Sequence, residues 1–307
     1  MKKIFVIGSL NMDLVFNYTV FPEKGETVVG DFFMINEGGK GANQAVACAR
    51  QGASALMVGC VGNDLYGKKI IETMTKNNVD ANNIRIHQSE STGTALIMVG
   101  NDDNRIIIIP GANGRTSIRQ IYPVFAEAKA GDILLCQMEI PCDTVFFALE
   151  EAKKQGMFTI LNPAPAKSIP DSVYPYIDLI IPNETEAKMI SKISCHNEES
   201  YKKVIEYFCD KGVNEVIITL GEKGAIYGSK KEFAIFSSHP APIVDTTAAG
   251  DTFVGTIAAE ISKGKQVSES VDKACVAASI AISRPGAMQS IPTETEILES
   301  IRKEADQ

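Results

Sequence analysis

With 307 residues, 45% of them apolar and 22% charged, the chain carries enough hydrophobic content to bury a full core unaided, which excludes a disordered chain and a mini-domain held by disulfides or metal. A formal charge of −8 excludes nucleic acid as the main partner, because phosphate backbones are held by basic surfaces. No stretch reaches the roughly 18 consecutive apolar residues of a membrane span.

In chain order, short apolar runs at 4–7, 55–59, 133–136, 158–161, 179–181 and 216–220 read as strands. Their hydrophobicity is continuous rather than alternating, as expected of strands covered on both faces. Helical patterns lie between them. At 201–211, for instance, Tyr201, Val204, Ile205 and Phe208 share one helical face. Strand and helix in alternation predict an α/β fold with a doubly wound, mostly parallel central sheet flanked by helices. Two stretches, 14–35 and 93–109, hold β-branched and aromatic residues without an intervening helix, and Asn101-Asp102-Asp103-Asn104 marks a turn in the second. They predict a small β-sheet lid beside a main domain made of 1–13, 36–92 and 110–307. Helical segments at 252–262, 267–283 and 293–303 close the chain.

Met1-Lys2-Lys3 with the apolar run behind it is not expected to act as a signal peptide, since Asn11 and Asp13 interrupt the run early. Seven cysteines without a CxxC pair point to reduced thiols in a cytoplasmic protein. His87, His196 and His239 are isolated in sequence and read as surface or packing residues.

Gly62-Asn63-Asp64-Leu65-Tyr66-Gly67-Lys68 opens like a phosphate-binding P-loop, but Lys69 stands where a Mg²⁺-ligating hydroxyl is required. Asp64 as the cap of the next helix is the better account. The first strand leads into Gly8-Ser9-Leu10-Asn11-Met12-Asp13, which lacks the dinucleotide fingerprint.

Asp245-Thr246-Thr247-Ala248-Ala249-Gly250-Asp251 is more informative. Small residues let the backbone approach a ligand, and free N–H groups at a helix start favour an anion such as phosphate. Asp251 fits there either as helix cap or as a catalytic base. Glu37-Gly38-Gly39-Lys40-Gly41-Ala42-Asn43-Gln44-Ala45 is a second glycine-rich lead into a helix. Asn183-Glu184-Thr185-Glu186 suits Mg²⁺ or caps the next helix. Thr219-Leu220-Gly221-Glu222-Lys223-Gly224 follows a strand with glycines that would let a nucleotide lie against the chain. All four occur where strands end or helices begin, the place where α/β sheets bind ligands.

Taken together, these motifs resemble the ribokinase or PfkB family of carbohydrate kinases from Ile4 to about Pro292. The N-terminal signature is matched by residues 37–45 and the C-terminal one by Asp245 to Phe253. The resemblance implies transfer of the ATP γ-phosphate to a sugar hydroxyl, ribose at its 5-position, with Asp251 as base and the N–H groups of Ala248, Ala249, Gly250 and Asp251 as anion hole. A kinase for 2-deoxyribose, a nucleoside or another furanose is the alternative, and a non-catalytic sugar- or nucleotide-binding protein is a rival of another class. The sugar pocket implied is Asn11, Asp13, Gly39, Lys40, Gly41, Asn43, Glu139 and Asp251. Asn183 and Glu186 are implied near the phosphates and Mg²⁺. Thr219, Leu220, Gly221, Glu222, Lys223, Gly224, Gly250 and Cys275 are implied around the nucleotide, Cys275 standing where the family often has His. A K⁺ loop is implied from Asp245, Thr247, Ala281, Arg284, Gly286 and Ser290, with Pro285 unusual within it. Asn162-Pro163-Ala164-Pro165-Ala166 also matches the family, without assigned chemistry. The family further implies a homodimer through the lids.

Overall fold

The computed structural model describes residues 2–100 and 104–305. Asn101, Asp102 and Asp103 of the expected turn lie outside the described residues. The first strand shows why the continuous apolar runs form a covered sheet. In β1 (Lys3–Ile7), Ile4 and Val6 enter one core while Phe5 and Ile7 enter another, and all four are fully buried.

The chain continues through β2 (Asn11–Asn17), β3 (Phe32–Gly38), α1 (Lys40–Arg50), β4 (Ser54–Gly62), α2 (Leu65–Lys76), β5 (Asp80–His87), β6 (Gly93–Val99) and β7 (Asn104–Ile109). Next come α3 (Ile118–Ile121), β8 (Ile133–Cys136), α4 (Cys142–Lys154), β9 (Phe158–Leu161), β10 (Leu179–Ile180), α5 (Glu184–Ser191) and α6 (Glu198–Asp210). The last elements are β11 (Glu215–Thr219), β12 (Ala225–Ser229), β13 (Phe233–Phe236), α7 (Ala249–Ser262), α8 (Val267–Ile282) and α9 (Glu294–Ala305).

Among the described residues the main sheet has nine strands in the order β13-β12-β11-β10-β9-β8-β1-β4-β5. It is parallel from β5 to β11, and β12 and β13 add an antiparallel edge that the sequence had not suggested. Helices α1, α2, α7 and α8 cover one face, while α4 and α6 cover the other. The winding reverses at β1, which pairs with β4 on one side and β8 on the other. A crevice opens at such a point beyond the carboxyl ends of the strands.

Missing side chains place the helices bordering that crevice. Gly39 has φ 89°, and a Cβ on it would lie 2.7 Å from Asn11 N; one on Gly41 would lie 2.6 Å from Ser9 N. The glycine-rich motif therefore seats α1 on the β1–β2 connection. On α7, a Cβ at Gly255 would come within 2.4 Å of the Ala47 Cβ on α1, so the two helices run in direct contact. Asp64 caps α2, accepting from Gly67 N at 2.8 Å.

The second sheet has the order β3-β2-β6-β7. It leaves Phe16, Phe32, Phe33, Ile35 and Ile106 to Ile109 exposed. Its foot is tied down at Glu37, a buried residue of β3. That carboxylate meets Lys69 Nζ at 3.3 Å, Thr73 Oγ1 at 3.2 Å and Gln289 Nε2 at 3.1 Å.

Candidate active site

Helix α7 is capped at Ala248, with no side-chain cap bond. Asp251 is therefore not the cap, and that reading of it is overturned. Its buried carboxylate instead crosses to α1, where Oδ2 accepts from Asn43 Nδ2 at 2.9 Å and Oδ1 from Gln44 Nε2 at 2.9 Å. Ala248 holds φ 61°, a left-handed conformation uncommon for a residue with a Cβ. The Ala249 N–H, expected in the anion hole, already donates to Thr246 O at 3.3 Å. Gly250 and Asp251 follow in the first turn, whose N–H groups have no helical partner.

Lys40 opens α1 and gathers the acidic groups. Burial works against its charge, but Asp251, Glu139, Glu186 and Asp13 more than offset this and raise its pKa. Asp13 moves the other way for an acid. Burial first, then Glu139 and Asp251, push its carboxyl up to about 7, with Lys40 opposing. Glu139 follows β8, accepting from Ser9 Oγ at 2.5 Å and Lys40 N at 3.2 Å. Asn11 is fixed by Asn113, whose Nδ2 donates to its Oδ1 at 2.7 Å.

A cavity of about 240 Å³ is lined by Lys40, Asn162, Asn183, Glu186, Thr246, Ala248, Gly250 and Asp251, among others. A larger cleft of about 470 Å³ is lined by Gly221, Glu222, Gly224, Ser238, His239, Pro240, Ala249, Phe253 and Cys275, among others. The two share Asn183, Thr219, Thr246 and Gly250 and so adjoin at the start of α7. Asn11, Asp13, Gly39, Gly41, Asn43 and Glu139 line neither cavity. Asp13 and Glu139 nonetheless act electrostatically on Lys40. Leu220 and Lys223 also line neither, Leu220 being part of the core.

Asn183 and Glu186 form a capping box on α5: Asn183 Oδ1 accepts from Glu186 N at 2.8 Å, and Glu186 Oε2 from Asn183 N at 2.9 Å. Capping and cavity lining thus coexist. Burial raises the Glu186 pKa against opposition from the Asn183 N–H and Lys40. Among the described residues no cluster of three or more His, Cys, Asp or Glu could hold a metal. The segments holding Asp245 and Gly286 meet, as the Asp245 carboxylate accepts from Thr247 N at 2.9 Å and Gly286 N at 3.0 Å. Arg284 turns away to Glu296 at 2.7 Å, its backbone N–H reaching Ala281 O, and Ser290 Oγ donates to Ala287 O at 2.8 Å.

Several contributors had escaped the sequence reading. Gln44 lies within the glycine-rich motif but was assigned no role there, and Asn113 and Gln137 are buried amides with no local signature. The 238–243 loop has no motif, yet brings His239 into the cleft beside Cys275, its Nε2 lying 3.3 Å from Asp272 Oδ1. Burial raises the Cys275 thiol pKa to about 12, so it meets a ligand as a neutral group.

Two adjoining cavities that meet at an open helix start, with the Asp251 carboxylate lining the smaller one, give the fold what phosphoryl transfer requires, a place for phosphate beside a base. The match to the pfkB family of carbohydrate kinases spans residues 1–294, and the chain belongs to that family. It is 38% identical over 299 residues to a ribokinase of Haemophilus influenzae, covering 97% of this chain and 98% of the relative. A ribokinase of Arabidopsis thaliana, solved in complex with ribose and ATP, superposes with a TM-score of 0.89 at 31% identity, covering 97% of this chain and 98% of that one. A deoxyribokinase of Salmonella typhi is 33% identical over 292 residues, covering 94% of this chain and 95% of the relative.

Proposed function

We propose that this sugar kinase transfers the γ-phosphate of ATP to the 5-hydroxyl of D-ribose, giving ribose 5-phosphate. The observation that carries the reading is the position of Asp251, in the first turn of α7 where the 240 Å³ cavity adjoins the 470 Å³ cleft. The likeness to the ribose- and ATP-bound relative supports ribose and ATP as the pair.

The cleft takes the nucleoside against Gly221, Gly224, His239 and Cys275. The terminal phosphate points at the start of α7. Asp13, Glu139, Asn11 and Asn43 hold the sugar hydroxyls beside Lys40, and a sugar lacking one of them leaves buried polar groups unpaired. Asp251 takes the proton of the attacking hydroxyl. Charge on the phosphoryl oxygens is met by the N–H groups of Ala248, Gly250 and Asp251 and by the Lys40 ammonium.

Mg²⁺ fits the edge of the cavity formed by the Asn183 amide and the Glu186 carboxylate, since this ion keeps most of its water and needs one or two protein oxygens; bound with ATP, it would neutralise phosphate charge. K⁺ fits the Asp245 carboxylate with the carbonyls of the 281–290 turns, and would stiffen the approach to α7. We read 14–35 and 93–109 as a lid that excludes water. Its exposed phenylalanines and isoleucines support pairing with a second copy. Among the described residues no helix is long and apolar enough to cross a membrane, and seven unpaired thiols support a cytoplasmic enzyme.

Turnover with ATP against a panel of ribose, 2-deoxyribose, other furanoses and nucleosides tests the proposal. Ribose is expected to give the highest kcat/KM, and preference for a sugar lacking the 2-hydroxyl would replace it with the deoxyribokinase reading.

A further inference from the structure

Gln44 is fully buried and hydrogen-bonds three polar neighbours. Its Nε2 donates to Asp251 Oδ1 at 2.9 Å and to Asn162 Oδ1 at 3.0 Å, while its Oε1 accepts from Gln137 Nε2 at 2.6 Å. Asn162 Nδ2 in turn donates to Ile181 O at 2.8 Å. The amides thus run from the residue after β8, through α1, to the residues after β9 and β10.

The orientations of Asn162 and Gln44 are dictated by their partners, while Gln137 is held through its Nε2 alone, its Oε1 being buried without a partner. The Ile181 carbonyl only accepts, so Asn162 must give it the NH₂ group and show Oδ1 to Gln44. A carboxylate also only accepts, so Gln44 turns its NH₂ to Asp251 and Asn162 and leaves its oxygen for Gln137. A flipped Gln44 would set an oxygen against two acceptors. Asn43, the other amide on Asp251, lacks this restraint, because its Oδ1 is buried without a partner. Unlike a lysine or histidine, an amide supplies N–H groups without a net charge or a transferable proton.

We propose that Gln44, locked by Gln137 and Asn162, is a positioning residue that fixes the plane of the Asp251 carboxylate for proton abstraction. The inference rests on Asp251 being the base. It assigns to Gln44 no contact with sugar or nucleotide. Its contribution comes from holding the reacting oxygen within a fraction of an ångström, where a 1 Å displacement costs about 10²-fold in rate.

The test compares Gln44→Met, which keeps the volume and removes the polar atoms, with Gln137→Met, which removes only the lock, and with Asp251→Asn. Each variant is assayed for kcat, for KM of ATP and ribose, and for folding by circular dichroism. Gln44→Met is expected to lose about 10²-fold in kcat and Gln137→Met about tenfold, with both KM values within about threefold of native. The split is the diagnostic: a misaimed carboxylate lowers kcat alone, whereas a general loosening of the site raises both KM values with it. Native kcat in the folded variants, or a loss shared with a comparable rise in both KM values, with Asp251→Asn crippled, overturns the positioning role alone. Near-native turnover of Asp251→Asn overturns the base assignment beneath it. Should Gln44→Met not fold, Gln137→Met decides: an unchanged kcat overturns the proposal.

Discussion

Asp251→Asn separates chemistry from architecture because the surroundings of that carboxylate can absorb the change. One oxygen becomes an NH₂ group, which must not face a donor. Gln44 cannot turn, being held by Gln137 and Asn162, so the remaining oxygen stays toward it. The new NH₂ then faces Asn43, whose Oδ1 has no partner and can rotate round to accept. One orphaned atom is exchanged for another, so the stability cost should stay near 1 kcal/mol, a few degrees in melting temperature for a chain of this size. Loss of a general base costs 10²–10⁴-fold in kcat. Coupled ADP release under saturating ATP and ribose, read beside a thermal melt, gives both quantities. A variant that keeps native melting and turns over at near-native rate would refute the reasoning, leaving Asp251 a strut between α1 and α7.

Glu139→Ala removes an acceptor held by Ser9 Oγ and Lys40 N; the ribose KM should rise about tenfold or more with a smaller change in kcat, and unchanged values of both would remove Glu139 from the pocket. Ribose affinity, measured by calorimetry, should weaken roughly tenfold between pH 8 and pH 6 as Asp13, with its pKa near 7, takes up a proton. The stability term has the opposite sign: a carboxyl raised from 3.8 to about 7 contributes stability below its unfolded pKa, and this is lost as pH rises through 7. Asp13→Asn should flatten both trends, and persistence of either would reject the assignment. Gly255→Ala drives a Cβ to within 2.4 Å of the Ala47 Cβ, which should cost about 1–3 kcal/mol in a thermal melt and lower kcat by shifting Gln44 relative to Asp251; an unchanged melt and rate would show that the α1–α7 contact can yield.

The residues that announced the fold were those whose burial leaves no local choice. Ile4 to Ile7 are apolar at four successive positions because both faces of β1 are covered, and that pattern is visible without coordinates. The β12–β13 edge was not, because strand direction depends on what pairs with what rather than on composition. Asp251 was ambiguous for a related reason: three small residues before an acid describe a helix start, and only the packing of α1 shows that the carboxylate turns sideways to Asn43 and Gln44. Glycines 39 and 41 announced that something approaches the backbone closely, and the space of their absent Cβ atoms is taken by the backbone at Ser9 and Asn11. Gln44, Asn113 and Gln137 could not be singled out, since a buried amide is recognised by its distant partners.

Among the described residues the two cavities share Asn183, Thr219, Thr246 and Gly250, whereas the 238–243 loop borders the larger cleft alone. Redesign for a different nucleobase can therefore be confined to that loop, leaving the surroundings of the Asp251 carboxylate untouched.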